Sequence, residues 1–151
     1  MSGTENVFQE RRSASLNLIR ELVDVRSSVL SLYGDLAANH SNGDDQDVID
    51  MLENFCQALI DYTADAHFRL YRYIDEKKER RHQVVAVADK VYPDIVTTTQ
   101  KILDFNEKYD FDGQEPDLGD LKTDLSLLGE CLADRIELED QVINAMKQGR
   151  R

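Results

Sequence analysis

From Leu121 through Leu125, Leu128 and Leu132 to Val142 and Met146, apolar residues return every three or four positions, and only Arg135 and Glu139 break the line. That spacing is the repeat of an α-helix with one apolar face, and it runs for too many turns to describe a strand. Three other stretches carry the same repeat. Residues 6–38 place Phe8, Ser15, Ile19, Leu22, Arg26, Val29, Tyr33 and Leu36 on one line. Residues 46–77 do so with Val48, Leu52, Phe55, Leu59, Ala66, Leu70 and Ile74, and residues 83–109 with Val84, Val87, Val91, Ile95, Ile102 and Phe105. Two prolines and seven glycines in 151 residues leave these stretches largely free of helix breakers.

Short polar segments separate the four. Asn39–Asp45 is rich in turn formers, Asp75–Arg81 is a charged run, and Asp110–Pro116 carries Gly113 and Pro116. Asp117 offers a side-chain oxygen to cap the last helix. Pro93 lacks an amide hydrogen, so the third helix is expected to be kinked or broken near it. Long helices joined by short connections pack most simply as an antiparallel up-down four-helix bundle, with neighbours inclined by about 20°. The expected fold is therefore all-α, a single domain over residues 1–151 with short flexible ends at about 1–5 and 148–151.

Charge narrows the partners. Thirty acidic residues against eighteen Lys and Arg give a net charge of −12, which opposes direct binding to nucleic acid or an anionic membrane and suits a basic partner. The same acidity also serves plain solubility. No run approaches the ~18 apolar residues of a membrane span, and the opening Met1–Arg12 has no apolar signal-like core. Cys56 and Cys131 each sit inside an apolar helical pattern with no second cysteine near, which fits buried free thiols in a reducing compartment. A cytoplasmic protein is expected.

Catalytic and metal-binding motifs were sought on the same terms. Asp110-Phe-Asp112-Gly113 resembles the start of a calcium loop, but such a loop needs a bidentate Glu six residues after its glycine, and residue 119 is Gly. The segment reads as an acidic turn. Of the three histidines, His40 and His82 fall at helix ends and His67 alone lies within a helix. A di-iron bundle requires Glu-x-x-His on two inward-facing helices, and the predicted helices carry none. Phosphate-binding glycine loops and nucleophile elbows are also missing. No catalytic residue, metal ligand or cofactor is assigned, and the chain is not expected to be an enzyme.

Two groups of residues break the simple pattern. Arg135 and Glu139 lie on the apolar line of the fourth helix at a spacing that lets them pair, Arg26 lies on that of the first, and His67 flanks that of the second. A buried ion costs several kcal/mol unless paired, so these groups are expected to meet inside the bundle or open onto a cleft. Such a layer can fix helix register, or it can form a small polar pocket for a ligand or metal built on His67, Arg135 and Glu139. The second group lies on the other side of the second helix. With Leu59 facing the core and about 100° per residue, Asp61, Ala64 and Phe68 point away from it, with Gln57 alongside. An outward Phe beside a small residue and a carboxylate suits a partner-binding face, although flanking helices would also account for it.

The same residues carry a family resemblance. Phe55-Cys-Gln-Ala-Leu-Ile-Asp61-Tyr-Thr-Ala-Asp-Ala-His67-Phe68-Arg-Leu-Tyr71 resembles the second-helix signature FCQxLxDYxxxxHFxxY of Rsd/AlgQ proteins. Leu128-Gly-Glu-Cys-Leu-Ala-Asp-Arg135-Ile-Glu-Leu-Glu139-Asp140 is similar to the family's IGExLxxRxxLED segment. Val25-Arg26 and the Pro93 region align in the same order. The resemblance implies a helical bundle that binds the primary sigma factor of bacterial RNA polymerase, mainly its DNA-binding region 4, and withholds it from core enzyme and promoter. It also implies that some members have further signalling partners. Carried over residue by residue, it marks Asp61 for sigma contact, with Gln57, Ala64 and Phe68 on the same face. The HFxxY positions are His67, Phe68 and Tyr71, and the RxxLED positions are Arg135, Glu139 and Asp140. With Arg26 these give an interior polar set of Arg26, His67, Tyr71, Arg135, Glu139 and Asp140. The first helix departs from the family: Arg20-Glu21-Leu22 stands where an Arg-Trp-Leu is common, and this chain has no Trp.

Overall fold

The structure is a computed structural model, and it describes residues 2–40, 44–71, 82–111, 114 and 116–148. Within the first helix, side chains are described at Ala14 and from Leu16 onward, so Phe8 and Ser15 of the expected apolar line lie outside the described residues. So do Ile74, the charged run through Arg81, Asp112-Gly113 and the last three residues.

Among the described residues the chain forms four α-helices: α1 (Ser2–Asn39), α2 (Asp45–Ala66), α3 (His82–Lys108) and α4 (Leu121–Gln148). A π-helical turn, His67–Tyr71, continues directly from α2. Particular contacts fix the topology. Tyr33 meets Phe55 while Glu21 pairs with Arg69, so α1 and α2 run antiparallel. Phe55 meets Phe105 while Tyr71 meets Tyr92, which makes α2 and α3 antiparallel. Tyr109 bonds Asp124 while Thr99 bonds Arg135, and Tyr33 reaches Leu125 while Arg26 reaches Asp140. The expected up-down four-helix bundle is therefore the observed fold.

The helices form where the apolar repeat lies. Ile19, Leu22, Val29 and Leu36 of α1 are buried against Val48, Leu52, Phe55 and Leu59 of α2. Val84, Val91, Ile95, Ile102 and Phe105 of α3 and the leucine line of α4 complete the core. A fully buried side chain of this size contributes roughly 1.5–3 kcal/mol, so the four stripes are what hold the bundle together.

Helix ends follow local chemistry. Asp44 caps α2, its carboxylate accepting from the Asp47 amide at 2.8 Å, and Asp45 and Asp47 sit favourably at the positive helix start. Asp117 does not cap α4. Its carboxylate accepts from the Gly119 amide at 3.0 Å and folds a turn ahead of the helix, which begins only at Leu121. α3 is not broken at Pro93 but is one helix from His82 to Lys108. The π-helical turn has no counterpart in the sequence reading. It widens the end of α2 so that both Leu70 and Tyr71 are buried.

Candidate functional site

The centre of the bundle is a polar layer built around one carboxylate. Glu139 is fully buried on α4, and Arg135, one turn earlier, donates to its Oε2 at 3.1 Å. Tyr62 of α2 donates to Oε1 at 2.6 Å, and Arg26 of α1 approaches the same oxygen at 3.4 Å. Arg26 also donates to Asp140 at 2.9 Å, where the layer reaches the surface. Arg135 closes the circuit to α3 by donating to Thr98 Oγ1 at 3.1 Å and Thr99 Oγ1 at 2.7 Å. Its guanidinium lies 5.3 Å from the centre of the Tyr62 ring. All four helices thus share one network whose two arginines balance two carboxylates, the condition for burying ions without a large penalty.

Four of the six residues expected in the interior, Arg26, Arg135, Glu139 and Asp140, are brought together there. Tyr71 is buried nearby, but its hydroxyl has no hydrogen-bond partner among the described residues. His67 stands outside the layer. It is exposed at the start of the π-helical turn, with its ring edge-on to Phe68 at 5.5 Å. His67 and Arg135 both line one groove between α2 and α3, while Glu139, paired with Arg135, is fully buried and does not line it. Among the described residues no three His, Cys, Asp or Glu side chains cluster as metal ligands.

Tyr62, Thr98 and Thr99 were missed by the sequence reading. Tyr62 follows Leu59 by three and Thr98 follows Ile95 by three, so the helical line itself passes through both. Cys131 is buried with its thiol 3.5 Å from the Thr98 carbonyl, and Cys56 is partly buried, where burial pushes its thiol up to about 12. Both cysteines are free.

The residues expected to form a partner-binding face lie on the outward side of α2 and of the π-helical turn that continues it. Gln57, Asp61, Ala64 and Phe68 are all exposed, Phe68 at 55%. The Gln57 amide donates to Asp61 at 3.0 Å and steadies its carboxylate. Beside this face runs an apolar groove of about 350 Å³ between α2 and α3, walled by Ile60, Ala64 and Phe68 on one side and Tyr92, Val96 and Leu103 on the other. The α3 wall was not anticipated, yet it leaves a signal: Tyr92, Val96 and Leu103 form a second apolar line, 42–47% exposed, set apart from the buried one. Among the described residues no helix is long and apolar enough to cross a membrane.

Residues 1–147 match the family described as regulator of RNA polymerase sigma(70) subunit, Rsd/AlgQ. The chain is similar to the regulator of sigma D of Enterobacter sp. (strain 638), 32% identical over 89% of this chain and 82% of that protein. A protein of the same name from Salmonella paratyphi B is 31% identical over 94% of this chain and 91% of its own length. The Yersinia enterocolitica protein of that name is 36% identical over a shorter stretch, 61% of this chain and 56% of its own. No solved structure matches the chain. With the family match running nearly end to end over a bundle of the expected form, the chain belongs to the Rsd/AlgQ family.

Proposed function

We propose that this protein is a transcription regulator that binds the primary sigma factor of bacterial RNA polymerase and works by contact, without catalysis, in the cytoplasm. Its target is the DNA-binding region 4, and binding there withholds sigma from core enzyme and from promoter DNA. The family supports the partner: its description, and the names of the relatives in Enterobacter and Salmonella, are those of sigma regulators. The observation that carries the reading to a surface is the outward side of α2 and the π-helical turn that continues it, where Asp61 and the Phe68 ring are both exposed. A carboxylate and an apolar anchor suit a basic helix-turn-helix module, and the net charge of −12 steers such a partner inward. The same charge opposes direct contact with DNA.

The test is complex formation between the full chain and purified region 4 at low salt. A complex that weakens with added salt and with Asp61→Ala is expected. No complex at low salt would overturn the reading.

A further inference from the structure

Beneath the groove between α2 and α3 lies a hydroxyl with no hydrogen-bond partner among the described residues. Tyr71 closes the π-helical turn, a feature that recurs at functional sites, and is only 8% exposed. Its oxygen is buried without such a partner, an arrangement that costs free energy in the empty protein. Burial, and then the Glu139 charge, push this phenol up, so at neutral pH it is a donor. The Tyr92 ring stands over it at 5.2 Å. Tyr92 is itself 42% exposed, and a ligand reaches the Tyr71 hydroxyl by displacing that side chain outward.

The chemistry of the floor selects the occupant. Arg135 lines the groove beside Tyr71, but its charge is cancelled by Glu139 at 3.1 Å, as that of Arg26 is by Asp140 at 2.9 Å. The floor therefore offers a hydrogen-bond donor beside a neutralised arginine, with His67 at the groove's edge, and the chain's −12 repels anions. Phe68, Val96 and Leu103 give the walls an apolar character, and about 350 Å³ falls within the size of small-molecule sites.

We propose that this groove binds a small neutral molecule with an aromatic or branched apolar body and a carbonyl oxygen, the body between Phe68 and Val96 and the oxygen accepting from Tyr71. The groove shares Ala64 and Phe68 with the face proposed for sigma, but its test requires only this chain, so the two readings fail independently.

Benzamide is the probe, titrated into the ¹⁵N-labelled full chain and followed by NMR. Saturable shifts at Ala64, Phe68, Tyr92 and Val96 are expected. Tyr71→Phe removes a hydroxyl that bonds none of the described residues, so it keeps the fold, as thermal unfolding can verify. It weakens benzamide binding by about three- to tenfold, the value of one hydrogen bond. Val96→Asp, at an exposed wall position, abolishes the saturable shifts. Benzoate, the same ring as an anion, binds more weakly than benzamide. The proposal fails if the groove shows no saturable shift, if both variants bind like wild type, or if benzoate matches benzamide.

Discussion

Tyr62 donates its hydroxyl to Glu139 across 2.6 Å, and that bond ties the middle of α2 to α4 inside the bundle. Glu139 also holds Arg135 and Arg26, so one carboxylate sets the register of three helices, and Arg135 adds the fourth through Thr98 and Thr99. Sliding any helix by one turn breaks a buried hydrogen bond or ion pair of this layer. An apolar core alone would penalise the same slip far less.

Removing Glu139 is therefore expected to cost more than its packing. Glu139→Ala leaves two arginines and a phenol facing a void, and the unfolding free energy should fall by about 3–5 kcal/mol. Replacing both partners, Arg135→Met with Glu139→Leu, removes the charges together and should lie closer to wild type than either single change. Urea unfolding of the four proteins reads the coupling. Strict additivity of the two singles would show that the pair does not act as a unit.

The same layer predicts an alkaline limit. Burial, then the charge of Glu139, push the Tyr62 phenol well above its ordinary range, and Tyr71 is raised by the same two causes. Unfolded tyrosines ionise near pH 10, approximately, so above that pH the unfolded chain releases protons that the folded chain keeps. The stabilisation is whole below about pH 10 and is lost as pH rises from there through the folded values. Denaturant midpoints measured from pH 8 to 11 should fall at the alkaline end, and Tyr62→Phe should flatten the fall while lowering stability at pH 7. An unchanged slope in that variant would remove Tyr62 from the account.

Most of the bundle was legible because burial imposes its period on the sequence: Leu121 to Met146 describes one face of α4 directly. Arg135 and Glu139 were legible as breaks in that line. Tyr62, Thr98 and Thr99 were not, because a Tyr or Thr on an apolar stripe is tolerated by the period and draws no notice. His67 went the other way. A widened turn changes which residues face inward, and no local signal announces a π-helical turn, so Tyr71 is buried while His67 is exposed. Pro93 allows either a kink or a break, and of the two the break does not occur: α3 continues through it, with the Thr97 hydroxyl donating to the Pro93 carbonyl at 3.2 Å.

Gly129 is legible only in three dimensions. A Cβ added there would lie 2.3 Å from the Tyr33 hydroxyl oxygen and 3.0 Å from its Cζ. Tyr33 cannot yield freely, because that hydroxyl donates to the Leu125 carbonyl at 2.7 Å. Alanine is the better helix former by about 1 kcal/mol, but overpacking costs about 1–3 kcal/mol, so Gly129→Ala should destabilise. In a Tyr33→Phe background the closest contact disappears while the ring contact stays, and part of the loss should return. Thermal unfolding of the pair checks this, and a Gly129→Ala protein as stable as wild type would contradict it.

The α2 face can be divided by kinetics. Asp61 lies exposed with its carboxylate held by Gln57, so the part proposed for it in a complex with region 4 is long-range attraction. Asp61→Asn should slow association and lower the salt dependence while leaving dissociation nearly unchanged. Phe68, 55% exposed, is placed to act as an apolar anchor. Phe68→Ala should speed dissociation at every salt concentration, with a loss of about 2 kcal/mol, roughly thirtyfold in affinity. Its own stability should shift by less than about 0.5 kcal/mol, as for other surface changes, which separates a lost contact from a damaged fold. Surface-plasmon traces across a salt series distinguish the two roles. If Phe68→Ala changes only association, or Asp61→Asn only dissociation, the division of labour is wrong, and if neither changes anything the contact face lies elsewhere on the bundle.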